Sequence, residues 1–197
     1  MPINYINRKG HMYELYRGQT KTGKPRYYFG RTGQGQGELV EELPSGFTIS
    51  ESVNGVVSLV KDRPSLIQPE EVAAIEAEVK QHPQARRYRI AVKHNWIEIY
   101  EQIGPDFEIL LREPGTAGRL NPGLGSQVQF ERECSVQYTP VLRFSLLDPT
   151  RRQFGVKRMC YLGRIDDWLE LRQTGPMGEL AHALIPTLDT DQFYELW

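Results

Sequence analysis

The chain has 197 residues, 39% of them hydrophobic and 25% charged, and a net charge of −1. That length removes roughly 70% of the unfolded surface from water, so folding needs no metal or disulfide, and the balance excludes both a disordered polyelectrolyte and a uniform polycation. Cys134 and Cys160 are the only cysteines and form no CxxC, residues 1–10 carry no apolar run, and no stretch approaches a membrane span; a cytoplasmic protein with reduced thiols and no membrane partner is expected.

The first element reads as a basic hairpin. His11–Arg17 alternates, and Arg26–Arg31 is rich in aromatic strand formers. Gly23-Lys-Pro25 turns the chain between them. Gly33-Gln-Gly-Gln-Gly37 then reads as a flexible linker. Residues 1–37 are accordingly expected as a basic aromatic hairpin module with a Gly-rich linker, and 38–197 as the main α+β domain.

A second hairpin follows. Phe47–Glu51 and Val56–Val60 flank Asn54-Gly55, a pair suited to a two-residue type I′ turn with both φ positive. The one long helix is expected over about 69–82. Pro69 suits the first helical position, Glu70 and Glu71 suit the positive end of the dipole, and Val72, Ile75 and Val79 make an apolar stripe. His82-Pro83 ends it. Tyr88–Glu101 reads as a third hairpin turning at His94-Asn95. Phe107–Leu111 continues the sheet, 114–126 is a Gly/Pro-rich loop, and strands resume at 127–133, 140–147 and 153–162. Arg164–Leu171 fits a strand or a short helix, and 178–185 and 190–197 fit short helices. Strands in meanders with one good helix give an α+β fold of antiparallel hairpins.

Most catalytic and cofactor motifs are missing. The glycine run lacks the Gly-Lys-[Ser/Thr] of a phosphate loop and opens no helix, so it is neither a P-loop nor a dinucleotide fingerprint. His11, His82, His94 and His182 have no metal-ligand spacing; His94 with Glu98 and Glu101 is set aside because strand alternation parts the two acids. No Gly-x-Ser-x-Gly elbow occurs. Cys160 has Lys157 and Arg158 beside it but lies in an apolar-alternating strand, which favours a buried thiol. Asp106 with Glu108, and Asp166 with Asp167, are the carboxylate pairs a metal-dependent nuclease would need, but their spacing is poor. No cofactor and no metal are expected. Leu43-Pro-Ser-Gly-Phe47 followed by Asn54-Gly55 resembles the opening of a WW domain over a short stretch, with Phe47 at the first Trp. Val57, Leu59 and Val60 stand where proline-gripping aromatics would follow, so proline-rich binding is not carried over.

Charge distribution says more. Residues 1–31 hold seven Lys or Arg against Glu14, or 7 − 1 = +6; residues 143–164 hold six against Asp148, or 6 − 1 = +5; residues 166–197 hold Arg172 against seven acids, or 1 − 7 = −6. In the first segment Arg17, Lys21, Lys24, Arg26 and Arg31 interleave with Tyr13, Tyr16, Tyr27, Tyr28 and Phe29. Cations attract phosphate and flat rings offer stacking faces. The expectation is a non-enzymatic accessory protein that binds nucleic acid through Arg17, Lys21, Lys24, Arg26, Tyr28 and Arg31, joined by Arg151 and Arg152. The alternative is a protein-interaction subunit, docking its basic N-terminal and acidic C-terminal regions on a protein partner or in a homo-oligomer. A nuclease-like enzyme is the third reading.

Overall fold

The computed structural model describes residues 1–104, 136–162 and 165–195. The strands expected at 107–111 and 127–133, the loop at 114–126, and Asp106, Glu108 and Cys134 lie outside the described residues. The fold is α+β, built mostly of antiparallel hairpins and a meander with a few short helices. Two compact units are present; Met1–Asp62 makes the body of the first, and Arg63–Gln102 with residues 138–195 that of the second.

In the first unit, β2 (Met12–Gln19) is the central strand. It pairs with β3 (Pro25–Arg31) along its whole length, and on its other side with β1 (Asn4–Ile6) and then β4 (Glu38–Leu39). β5 (Phe47–Glu51) and β6 (Val57–Lys61) form a separate hairpin. The three connections β1–β2, β2–β3 and β5–β6 share one design. Asn7, Thr20 and Ser52 each begin a loop whose fourth residue is glycine, and the Gly10, Gly23 and Gly55 amides donate to their carbonyls at 2.8, 2.9 and 2.9 Å. Each opening side chain also accepts the N–H of the fifth residue, His11, Lys24 or Val56, at 2.9, 3.1 and 3.0 Å. The glycines take φ of 71°, 77° and 77°.

The β5–β6 loop corrects the two-residue turn expected at Asn54-Gly55. It has three residues between Ser52 and Val56, and only Gly55 needs positive φ. The loop is fixed from outside, because the buried Asn7 amide donates to the Gly55 carbonyl at 2.6 Å and Val53 is buried.

The second unit is a five-stranded meander in chain order: β7 (Tyr88–Val92), β8 (Trp96–Ile103), β9 (Gln137–Asp148), β10 (Gln153–Leu162) and β11 (Ile165–Gly175). Arg164–Leu171, open between strand and helix in the sequence, therefore falls mainly in a strand. Helix α1 (Pro69–Gln81) starts with Pro69 at its first turn and a Gln68 N–H donated to Glu71 Oε2 at 2.8 Å, and His82 caps its end. Ile75 and Val79 are buried, and Val72 is half-buried beside them. They meet Ile97, Ile99, Leu142, Phe144, Phe154 and Val156 of the sheet and Leu180 and Leu184 of α2 (Met177–Leu184). Burying each such side chain stabilises by about 1.5–3 kcal/mol. A last turn of helix, α3 (Asp191–Tyr194), adds Phe193 to this core.

The core also holds charge. Glu98 is 5% exposed and accepts from Arg143 Nε and Nη2 at 2.8 and 2.5 Å, while the Arg143 guanidinium lies 4.0 Å from the Trp168 ring centre. Glu71, at the start of α1, is likewise buried and paired with Arg152.

Candidate nucleic-acid interface

The β2–β3 register decides which way each expected site residue faces. Tyr13 opposite Arg31, Leu15 opposite Phe29 and Arg17 opposite Tyr27 share one face; Glu14 opposite Gly30, Tyr16 opposite Tyr28 and Gly18 opposite Arg26 share the other. On the first face Leu15 is fully buried, and Tyr5, in register with Tyr13, donates its hydroxyl to Glu51 of β5 at 3.0 Å. That face is the core of the unit.

The second face is covered too. Tyr16 and Tyr28 stack with ring centres 5.8 Å apart and planes at 20°. Residues 33–37 lie against them. The Gln36 N–H donates to the Tyr28 hydroxyl at 2.8 Å, and that hydroxyl donates back to the Gln36 carbonyl. A Cβ on Gly35 would collide with the Tyr16 ring, which is why glycine stands there. The segment read as a linker from its composition is thus a strap held on two tyrosines. Glu14 serves the same arrangement. Its Oε2 accepts from the Tyr16 hydroxyl at 2.6 Å, which raises the phenol pKa, and from the Gly33 N–H at 3.2 Å.

Tyr16 is therefore buried, and Tyr28 is half-buried with one ring face stacked on Tyr16 and its hydroxyl held by Gln36. The cations behave differently. Arg17, Lys21, Lys24, Arg26 and Arg31 are all exposed, and none makes an ion pair or a side-chain hydrogen bond among the described residues. Lys21 and Lys24 sit in the Thr20–Lys24 loop, Arg17 and Arg26 beside it, and Arg31 at the far end of β3. Between that loop and the strap runs an open, polar groove of about 590 Å3, lined by Arg17, Gly18, Gln19, Pro25, Gln36 and Glu38 among others.

Arg151 and Arg152 belong to the second unit. Arg151 is exposed, 4.0 Å from Asp148. Arg152 is engaged: Nε donates to Glu71 Oε1 at 2.8 Å, Nη2 donates to Glu71 Oε2 and to the Leu66 carbonyl, and the guanidinium lies over Phe154. Asp166 and Asp167 are both exposed on β11, and the Asp167 carboxylate accepts the Trp168 N–H at 2.7 Å. Cys160 is a half-buried free thiol. Among the described residues no three His, Cys, Asp or Glu side chains gather where they could hold a metal ion, and no helix is long and apolar enough to cross a membrane.

The chain matches no known protein family, no curated protein and no solved structure.

Gln19, Gln36 and Glu38 were not singled out by the sequence. They come from two segments that meet only because β4 pairs with β2, so no local pattern could mark them. The repeated Asn/Thr/Ser-x-x-Gly spacing at residues 7, 20 and 52 is the signal that would have placed all three loops of this unit.

Proposed function

We propose that the β2–β3 hairpin binds nucleic acid through backbone phosphates, as the working surface of a non-enzymatic accessory protein. The supporting observation is that residues 15–31 carry five cations and no acid, or 5 − 0 = +5, with every one of the five exposed and unpaired among the described residues. Exposed cations with no ion-pair partner lose little on meeting phosphate, and each contact releases counterions. Because Tyr28 is stacked on Tyr16 and its hydroxyl is held by Gln36, charge and not stacking on Tyr28 carries the binding.

The test is fluorescence anisotropy with short DNA and RNA over a salt series. Three to five phosphate contacts give a slope of log K against log salt of roughly −2 to −4.5. Lys21→Ala, Lys24→Ala and Arg26→Ala together should lower affinity and flatten that slope by about 2 to 3. Absence of binding at about 50 mM salt, or a triple variant that binds like wild type, removes the proposal. The second reading, a docked protein partner, then takes first place. Its own support is β11, an 11-residue sheet-edge strand with exposed Asp166, Asp167 and Glu170.

A further inference from the structure

We infer that Tyr27 is the stacking residue of this surface: its ring receives one unpaired base of a single strand whose phosphates lie on Arg17, Lys24 and Arg26. The inference rests on the nucleic-acid reading above and deepens it, from phosphate alone to single-stranded nucleic acid.

Arg17 and Tyr27 are direct partners across β2 and β3, so their side chains leave the same face of the hairpin. That face is core at the Leu15–Phe29 row, but the core does not reach further towards the loop. One row on, Arg17 is exposed, and in the row after it Gln19 and Pro25 are exposed as well. Tyr27 stands at this boundary and is half-buried. Half-burial there anchors the ring on the unit and leaves part of it in water.

The other tyrosines of the sheet are engaged or badly placed. Tyr5 donates to Glu51, Tyr16 donates to Glu14, and Tyr28 stacks on Tyr16 with its hydroxyl held by Gln36. Tyr27 makes no ring contact and no side-chain hydrogen bond among the described residues, and the Arg17 guanidinium does not lie over it. Tyr13 is equally unbonded, but it sits on the central strand between Tyr5 and Arg31, at the end away from the loop cations. Tyr27 sits on an edge strand of its sheet, since β3 pairs only with β2 among the described residues. Arg26 is its neighbour in the chain and Lys24 is three residues away, both within about 10 Å of backbone.

The charge of the row agrees with this placement. Across the sheet it runs Glu38, Arg17, Tyr27, so Arg17 stands between the ring and the acid, which would repel phosphate. In a duplex each base is stacked on both faces and held by its pair, whereas a base in a single strand can turn one face to a protein ring.

The experiment compares, by anisotropy with the full chain, a short thymine strand, a strand of abasic sites of the same length, and a duplex. The abasic strand carries the same phosphates with no rings to stack. Wild type should bind the thymine strand about tenfold tighter than the abasic strand, with the same salt slope. Tyr27→Leu, which keeps an apolar side chain against the core, should bring the thymine strand down to the level of the abasic strand and leave the duplex unchanged. Tyr27→Phe keeps the ring and should bind like wild type; loss of the thymine preference in that variant would tie it to the hydroxyl and overturn stacking. Equal wild-type affinity for the thymine and abasic strands, a comparison that depends on no substitution, overturns the stacking role while leaving phosphate binding intact. So does a thymine preference that survives Tyr27→Leu. Failure of all three nucleic acids to bind overturns both readings.

Discussion

Arg152→Ala is expected to destabilise the second unit by about 3 kcal/mol, because it strands a buried carboxylate. Glu71 is 7% exposed, and its Oε2 accepts from the Gln68 N–H as well as from Arg152. Breaking a buried pair by removing one partner costs about 3–5 kcal/mol. The Arg152 side chain is 26% exposed, so water reaches the carboxylate once the guanidinium is gone and the lower end applies. Arg152 also sits at φ 52°, a conformation that costs a non-glycine residue about 1 kcal/mol. Alanine keeps that strain, so Arg152→Gly should be less destabilising than Arg152→Ala by about that amount. Urea unfolding followed through Trp96 and Trp168, both in this unit, reads the change. Glu71→Gln in the Arg152→Ala background should recover much of the loss, since glutamine keeps an acceptor for the Gln68 N–H without a charge. An Arg152→Ala protein within about 0.5 kcal/mol of wild type, or no recovery in the double variant, refutes the reasoning. Arg152→Ala that lowers nucleic-acid affinity without loss of stability would instead return Arg152 to the interface.

Where one segment carried its own signal, the sequence was a good guide. Pro69, the two acids after it and the Val72, Ile75, Val79 stripe mark α1 because a helix is a local object with a fixed period, and the meander strands were legible for the same reason. The first structural departures come from long-range partners. Asn54-Gly55 favours a two-residue turn in isolation, yet Asn7, 48 residues away, donates to the Gly55 carbonyl and the loop takes three residues. The glycine run at 33–37 has the composition of a linker, and only the position of the Tyr16 and Tyr28 rings shows that glycine is needed for close approach. Charge followed the same division. The excess of cations in 15–31 was visible in the sequence, and Glu14, the acid next to it in the chain, is taken by the Tyr16 hydroxyl and the Gly33 N–H. Arg152 looked equally available, but a carboxylate 81 residues earlier holds it.

Three further perturbations test the packing. Val79→Asp puts an unpaired charge into the core of the second unit and should cost several kcal/mol; a melting temperature within a degree or two of wild type would mean that α1 is peripheral. Gly35→Ala drives a methyl group into the Tyr16 ring and should cost about 1–3 kcal/mol, seen in a thermal melt of the full chain; unchanged stability would mean that the strap does not rest on the ring. Glu101→Gln tests a titration. Glu101 lies half-buried, with Arg87 Nη2 at 2.9 Å, and burial raises its pKa above the ordinary 4.5, with Arg87 opposing that only in part. The folded chain therefore takes up a proton at higher pH than the unfolded chain does, so this group adds stability as pH falls from 7 towards about 4.5 and loses it as pH rises through the raised value. Glutamine has no proton to take up. The unfolding free energy of wild type minus that of Glu101→Gln should increase steadily as the pH is lowered across that window, measured by urea titration at each pH. Parallel stability curves, or a difference that shrinks on acidification, would show that Arg87 outweighs burial and that Glu101 is held as a stabilised carboxylate.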